Sequence, residues 1–565
     1  MANDYDGTVT VIDGATNNTS MVTVGGSNWV VAVKVTLLPC SNRGFSVRTG
    51  RFDFLPSASR SSPALRQPGG GIFGRHVQDH GSVRAKRKLS LRESIMHQIR
   101  TVCSVLLLVS GWTLAPSEAR SEAQRGTLSV GAARVDITPA ADAGLPMSGY
   151  AGRKQGFQGI HDHIYVRAIV FSDGTSNAAV LAWELIGIPT SVWQVLSQRI
   201  SKELDIPAEN VVMAGEHVHS APSVAGLYGE ASAKAAAYTA QIEDAAVEAV
   251  RQAKQNLQPA RFGLGAGKCY VNINRRELDP DAGWWLGYNP DGPSSKTVAV
   301  LKFEDLSGKP IALFINYGVH GVVMGPDNLE VSGDLPGAVS RFVEQYYRGK
   351  IAMRGDAGWD LKLRPEETVS SNGMVALWTS GPAGDQNPVV LDSGEDFTMV
   401  DALGRILGEE AVRTANKITR MSSEARIRGS QQVVTCPGRK VAPGPLPRKE
   451  YQFEDAEPVN IRLSLLLINN VALAGVSGEV LTPIYERLRE ESPFDPTIMV
   501  THANGSSGYI PNDAAFDEIS YEITTSHLKP GCAENAIVSG FLDMMGTWTE
   551  VPASGSASKV PVQNR

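Results

Sequence analysis

The stretch Val211-Val-Met-Ala-Gly-Glu-His-Val-His-Ser-Ala-Pro222 places two histidines directly after a short apolar run. Apolar residues from Val211 to Ala214 are typical of a buried strand. His217 and His219 follow two positions apart, and residues i and i+2 of an extended chain lie on the same face. Loops at strand ends commonly carry functional side chains. The stretch therefore predicts a buried strand that delivers two imidazoles to one point, with two surface histidines as the alternative interpretation.

A third histidine ends a second apolar run. The segment Pro310-Ile-Ala-Leu-Phe-Ile-Asn-Tyr-Gly-Val-His320 is typical of another buried strand. On its own, His320 would be interpreted as a hydrogen-bonded core residue. Two separate strand-end histidine sites in one chain instead indicate zinc, because catalytic zinc sites use histidine and carboxylate ligands and keep one position open.

Strand and helix patterns alternate from Gly126 onward. Apolar runs predict strands at 168–171, 178–183, 211–214, 298–303, 311–315, 463–468 and 498–500. Helical periodicity and alanine content predict helices at 192–203, 231–255, 338–347, 399–417 and 480–490. This alternation predicts an α/β fold with a mixed β-sheet core and flanking helices. The proline-rich stretch 436–447 is predicted to be an internal boundary or a surface loop.

The composition is that of a globular enzyme. The 565 residues are 42% hydrophobic and 20% charged, which permits a large core and excludes global disorder. The net charge of −6 lacks the basic excess that is typical of nucleic-acid-binding proteins. No run approaches the roughly 20 apolar residues that a membrane helix needs. Five cysteines are too few and too scattered for a disulfide scaffold or a zinc ribbon.

Residues 1–95 differ from the rest in charge, since they contain 12 Lys and Arg against 6 Asp and Glu. Met96 then opens a basic stretch, an apolar run follows at 101–115, and small residues occupy the positions that a signal peptidase recognises. Residues 96–119 are therefore predicted to be a signal peptide, and residues 1–95 a gene-model artefact, a fusion or a disordered extension. The alternative is a genuine N-terminal domain followed by a short buried helix. Two alternating strands within 6–36 resemble a single repeat of the YVTN β-propellers.

An ordered series of segments from about residue 126 to 550 resembles the neutral/alkaline non-lysosomal ceramidase family. Glu216-His-Val-His-Ser-Ala-Pro222 is similar to the family's Thr-His-Thr-His-Ser-Gly-Pro, and Val319-His320 to its second metal histidine. Further similar segments lie at 131–139, 147–151, 159–168 and 271–276. The resemblance implies the family's α/β catalytic domain and its reaction, hydrolysis of the N-acyl amide bond of ceramide. It places the family's zinc ligands on His217, His320, Glu479 and Tyr509.

The same resemblance places His219, Arg275 and Tyr521 close to the reacting amide. Zinc lowers the pKa of a bound water towards ~7, so the implied mechanism is attack of hydroxide on the amide carbonyl. His219, Arg275 or a tyrosine hydroxyl would hold the developing oxyanion. His219 is also expected to protonate the leaving amine, because the unperturbed pKa of histidine lies near neutral pH.

Two features depart from the family pattern. The segment 384–388 is Gly-Asp-Gln-Asn-Pro where the family has Gly-Asp-Val-Ser-Pro, so Asn387 replaces a serine that is central to activity. Asparagine cannot be an activated nucleophile, but its amide can donate to an oxyanion. Attack by water is therefore compatible with this change, and a covalent serine mechanism is not. The chain also ends soon after Trp548, in a tail (551–565) predicted to be disordered, without the immunoglobulin-like domain of well-studied family members.

The sequence thus predicts a secreted or periplasmic zinc-dependent amidohydrolase that acts on ceramide or on a related lipid or small-molecule amide. Two alternatives stay open. One is a metal-dependent hydrolase of another ester, amide or glycoconjugate, and the other is a catalytically inactive binding relative.

A chain that starts at Met96 should be exported, cleaved near Ala119 or Ala123, and as active as the full chain, because residues 1–95 are predicted to be dispensable. Mass spectrometry of the exported protein locates the cleavage site. Failure of the shortened chain to fold would contradict this prediction.

Overall fold

The computed structural model describes residues 126–150, 153, 155–227, 232–349, 351, 373–391 and 396–548, together with three short strands near the N-terminus. These strands are β1 (Ala2–Asn3), β2 (Thr8–Ile12) and β3 (Thr19–Thr23), and they form an antiparallel sheet. Two of them confirm the strand pair predicted within 6–36, whereas the propeller resemblance stays a prediction. The predicted signal peptide (96–119) and the predicted tail (551–565) lie outside the described residues.

A mixed eight-stranded sheet forms the centre of residues 126–548. In chain order its strands are β5 (Ser129–Asp136), β7 (Tyr165–Ser172), β8 (Asn177–Trp183), β9 (Val211–Gly215), β10 (Gln258–Lys268), β13 (Thr297–Asp305), β14 (Pro310–Tyr317) and β16 (Val375–Ser380). Their order across the sheet is β16-β14-β13-β10-β5-β7-β8-β9. Only the two outermost pairs, β8–β9 and β14–β16, are parallel.

A second sheet of four strands packs on the first. Its strands are β19 (Ile427–Val441), β20 (Phe453–Ile468), β21 (Val471–Val476) and β23 (Thr497–Val500), in that order. Short strands form the remaining sheets: β4 (Gly126–Thr127) with β18 (Glu424–Ala425), β6 (Gly159–Ile160) with β15 (Glu330–Val331), β22 (Glu479–Val480) with β24 (Tyr509–Ile510), and β11 (Asn272–Asp279) between β12 (Gly283–Asn289) and β17 (Gln386–Pro388).

Helices cover the outer faces of both sheets. They are α1 (Thr190–Leu204), α2 (Ala233–Gln255), α3 (Asp334–Tyr347), α4 (Thr398–Lys417), α5 (Thr482–Glu491), α6 (Tyr521–Thr525) and α7 (Ala533–Gly546). The helices α1 to α4 pack on the eight-stranded sheet, and α5 and α7 pack on the four-stranded sheet. Residues 126–548 therefore form a four-layer α/β/β/α sandwich.

Strand β8 shows why this sequence forms layers. Leu181 and Trp183 contact the core beneath α1 and α2, while Val180 and Ala182 contact the core between the two sheets. Because both faces of the strand are buried, its sequence is apolar throughout instead of alternating. The prediction of an α/β fold with a mixed sheet core is confirmed, and each predicted strand and helix is present.

The proline-rich stretch 436–447 is not a boundary. Its first half is the end of β19, where Arg439 pairs with Asp455 of β20, and only the residues after Val441 form a loop. A disulfide between Cys436 and Cys532 ties β19 to the start of α7. None of the helices in the described part of the chain is long and apolar enough to cross a membrane.

Candidate metal centre and active site

Four histidines and one glutamate meet where strands of both sheets end. The loops after β9 and β14 carry His217, His219 and His320, and a parallel bridge joins the two loops. From the second sheet, Glu479 follows β21 and His502 follows β23. Each of these side chains is wholly or largely buried.

The backbone and hydrogen bonds of His217 fix the direction of its imidazole. The residue has φ 61°, which few residues other than glycine adopt. Its Nδ1 lies 2.8 Å from the carbonyl oxygen of Ile186 and donates to it, which leaves a lone pair on Nε2. A Cβ on Gly215 would lie 2.6 Å from Cα of Gly187, so only glycine lets the end of β9 approach the loop that carries Ile186.

His320 is oriented in the same way from the other loop. Its Nδ1 lies 3.0 Å from the carbonyl oxygen of Gln386 and donates to it. Burial, with smaller contributions from the charge of Arg275 and from His217, lowers the pKa of His320 to about 3. The imidazole is therefore neutral at neutral pH, and its Nε2 also presents a lone pair.

These two lone pairs and a carboxylate oxygen converge on one point. Oε2 of Glu479 lies 3.3 Å from Nε2 of His217 and 3.3 Å from Nε2 of His320. Among the described residues, no donor reaches this buried oxygen. Ligands in tetrahedral zinc sites with bonds of 2.0–2.1 Å are separated by roughly 3.3 Å. The three groups thus fit a metal ion, because the carboxylate oxygen is buried without a donor and both imidazole nitrogens face it at ligand spacing.

His219 lies beside this group. Its Nε2 is 3.3 Å from Nε2 of His217, and the ring of Tyr150 packs edge-on against it with centroids 4.9 Å apart. Gly149 is required beneath the imidazole, since a Cβ there would lie 2.3 Å from its Nδ1. Burial, then the neighbouring His217 and His320, hold the pKa of His219 well below its usual value. His219 is therefore neutral in this environment, which disagrees with the expectation of a cationic proton donor near pH 7.

Arg275 connects the histidine cluster to the remaining predicted site residues. Its Nη1 lies 3.1 Å from Nε2 of His320 and donates to Oδ1 of Asn387 at 3.3 Å. Its Nη2 donates to the hydroxyl of Tyr509 at 3.0 Å. Because Oδ1 of Asn387 is used as an acceptor, its amide nitrogen is the group that can donate to a ligand.

Tyr509 and Tyr521 form one wall of the site. Tyr509 lies opposite Glu479 in the parallel pairing of β24 with β22, and its ring meets that of Tyr521 edge-on at 5.7 Å. Burial and the charge of Glu479 raise the pKa of Tyr509 well above its usual range, so its hydroxyl keeps its proton at neutral pH. The structure thus brings all eight predicted site residues into one contact network, and their individual roles stay predictions.

His502 is a buried member of the cluster that the sequence analysis missed. Its ring stacks on that of His217 with centroids 4.0 Å apart and an interplanar angle of 16°. Ligand atoms of His217, Glu479 and His502 lie within 4.8 Å of one another, but lone pairs in two stacked, nearly parallel rings point side by side, which makes His502 a poorer partner for His217 than His320. The available signal was its position directly after the short apolar run of β23, the same kind of strand-end position as His217 and His320.

A cavity of about 860 Å³ reaches the cluster at His217, Glu479 and His502. Its walls include the glycine- and serine-rich loop 505–508 and residues 456–460 of β20. The cavity gives a ligand of small-molecule size access to the buried carboxylate.

These features define a class: an α/β/β/α protein whose two sheets meet at a histidine–glutamate group suited to a metal. The model of the neutral/alkaline non-lysosomal ceramidase family (N-terminal part) matches residues 128–441. The chain belongs to this family.

Known relatives agree with this assignment. Neutral ceramidase A of Dictyostelium discoideum is 29% identical over 273 residues, which are 45% of this chain and 36% of that protein. Neutral ceramidase of Drosophila melanogaster is 25% identical over 366 residues, or 59% and 51% of the two chains. The matched regions thus span about a third to a half of the length of these relatives.

Solved structures show the same fold. The structure titled "Ceramidase complexed with C2" has a TM-score of 0.60 at 18% identity, with 77% of each chain covered. Neutral ceramidase from Pseudomonas aeruginosa has a TM-score of 0.59 at 18% identity, covering 78% of this chain and 77% of its own.

His217→Ala should abolish stoichiometric binding of a divalent metal, because it removes one of the three converging acceptors. His502→Ala is the matched control and should retain the metal, since His502 is not among the proposed ligands and its ring stacks face to face on that of His217. Metal content after desalting, measured by plasma emission spectrometry, compares the two variants. A full equivalent of metal in His217→Ala protein would show that the ligands lie elsewhere.

Proposed function

We propose that this chain is a secreted zinc-dependent hydrolase of the neutral-ceramidase type, which cleaves the N-acyl amide bond of ceramide or of a related lipid amide. The observation that carries the proposal is the convergence of His217, His320 and Glu479 at tetrahedral ligand spacing within a chain of this family. Tyr509 is proposed as the fourth protein ligand, because it lies beside Glu479 in register.

Zinc held there would supply Lewis acidity and an activated water. The protein side chains have separate tasks. Arg275 lies within hydrogen-bonding distance of the cluster and stabilises negative charge that develops on the amide oxygen. The buried neutral His219 accepts a proton as the water attacks, and passes it to the leaving nitrogen. Tyr521 borders the position of the amide beside Tyr509.

Asn387 supports attack by water instead of a covalent serine mechanism. It is buried in β17, which pairs with the arginine-bearing strand β11, and it accepts a hydrogen bond from Arg275. Its amide nitrogen is therefore proposed to donate to the substrate oxygen. No hydroxyl is needed at this position for that task.

A second candidate is hydrolysis of a non-ceramide amide, ester or glycoconjugate at the same metal site. Its supporting observation is the set of polar groups that Thr190, Asn460, Ser506 and Ser507 offer a substrate in a cavity wall that also contains the apolar Ile186, Leu227 and Val459. An inactive binding relative is the third candidate. The joint retention of His217, His320, Glu479 and Arg275 speaks against it.

Secretion is proposed from the sequence feature at 96–119. The disulfide between Cys436 and Cys532 supports it, since structural disulfides persist in oxidising compartments.

Purified protein should hydrolyse at least one substrate in a panel of ceramides, other N-acyl amides and esters, and a zinc chelator should abolish the activity. Added zinc should restore it, because the proposed nucleophile depends on the metal. The measurement is release of fatty acid or amine by mass spectrometry. Turnover that persists with a chelator and without bound metal would overturn the proposal.

Asn387→Ala should reduce kcat on the preferred substrate by about 10²–10³, the effect of losing one oxyanion donor. Metal content should not change, because Asn387 is not a proposed ligand. Asn387→Ser serves as the comparison, since it restores the hydroxyl found in the family. Unchanged kcat in Asn387→Ala protein would mean that segment 384–388 has only a structural role.

A further inference from the structure

Glu522 contacts Arg275 at the one nitrogen that the site residues do not use. Oε1 of Glu522 accepts a hydrogen bond of 2.7 Å from Nε of Arg275, whereas Nη1 and Nη2 of Arg275 face the site. The side chain of Glu522 is fully buried and that of Arg275 is only 5% exposed. The pair is therefore shielded from solvent.

The carboxylate of Glu522 is itself held in place. Its Oε2 accepts a hydrogen bond of 2.8 Å from the hydroxyl of Ser520, the residue before α6. The helix α6 begins with Tyr521, whose ring borders the site, and the next residue is Glu522, which binds Arg275. A guanidinium is planar, and fixing Nε fixes the directions of Nη1 and Nη2.

We infer that Glu522 is a positioning residue that acts on the reaction only through Arg275, an inference that rests on the proposed function. Through the rigid fork of Arg275, its carboxylate sets the donors that face His320, Asn387 and Tyr509. It also supplies the counter-charge that lets a guanidinium remain buried beside a cation site.

The neighbouring pair of Arg276 and Glu518 provides a matched control. Oε2 of Glu518 lies 2.6 Å from Nη2 of Arg276, and Glu518 is 33% exposed. Arg276 donates to Ser520 and to the carbonyl oxygen of Ala515, and its Nε lies 3.8 Å from Oε2 of Glu522, but it does not reach the histidine cluster. Glu518→Gln thus removes the same charge from the same segment and leaves the hydrogen bond between Glu522 and Arg275 in place.

Glu522→Gln should lower kcat by about 10–100-fold with KM within about twofold, because outer partners tune groups that act in the transition state. Glu518→Gln should stay within about twofold of wild type. Arg275→Met should lose about 10²–10³ in kcat. Adding Glu522→Gln to Arg275→Met should change kcat by no more than about twofold, since the two residues act as a unit.

Either of two results would overturn the inference: a Glu522→Gln enzyme as active as Glu518→Gln, or a further tenfold loss when Glu522→Gln is added to Arg275→Met. If Glu522→Gln fails to fold by circular dichroism, Ser520→Ala replaces it. That variant releases one oxygen of the carboxylate and Nε of Arg276, leaves the other oxygen bonded to Arg275, and should lose about three- to tenfold in kcat. No loss in a folded Ser520→Ala enzyme would contradict the inference.

Zinc affinity separates this inference from the proposed function. If the wild-type protein hydrolyses nothing in the panel, the proposed function fails. The role of Glu522 is then tested by measuring the Kd for zinc in competition with a chelator. Glu522→Gln leaves the charge of Arg275 uncompensated beside His320, so the Kd for zinc should rise about tenfold, and less in the Arg275→Met background. Equal Kd values for Glu522→Gln and Glu518→Gln would overturn the inference.

Discussion

The carboxylate of Glu479 faces one nitrogen of each of two imidazoles. His217 and His320 each donate from Nδ1 to a backbone carbonyl, and Nε2 of each lies 3.3 Å from the same buried carboxylate oxygen. A cation between these groups stabilises the arrangement, because the carboxylate oxygen is otherwise buried without a donor. The surrounding structure holds these groups at ligand spacing. It does so through the carbonyl groups of Ile186 and Gln386 and through the ends of both sheets.

The charged residues that surround this group balance one another. Arg275 brings a positive charge close to a site that is suited to a cation. The two positive charges would repel each other without nearby negative charge. Glu522 and Glu479 provide that compensation from two sides, and Nη2 of Arg275 also donates to the hydroxyl of Tyr509. A buried guanidinium can then stay within reach of a substrate oxygen and keep full charge.

The sequence predicts the parts of this structure that depend on local pattern. The continuous apolar runs of β8, β9 and β14 predict strands buried on both faces, and the histidines that follow β9 and β14 indicate a metal site. The resemblance to the ceramidase family adds Glu479 and Arg275. His502 was missed although the strand before it is predicted at 498–500, because its stacking on His217 depends on how the two sheets pack, which no local pattern encodes.

Stretch 436–447 was misinterpreted for a related reason. Its prolines and glycines suggest a loop, yet pairing with β20 continues to Val441 with an irregular register between Cys436 and Gly438. The partner that decided the outcome is the next strand of the same hairpin, which pairs Arg439 with Asp455, and the composition of one strand does not show how far such pairing extends. Likewise, the role of Glu522 depends on an ion pair between residues that are 247 positions apart.

The origin of the acceptors in two different sheets has a consequence for the hydrophobic core. His217 and His320 move with the eight-stranded sheet, whereas Glu479 moves with the four-stranded one. The apolar layer between the sheets, which includes Leu466 and Ile498, therefore sets the spacing of the ligand group. A change of side-chain volume in that layer would therefore alter the distances among His217, His320 and Glu479, because interiors are close-packed and transmit displacement.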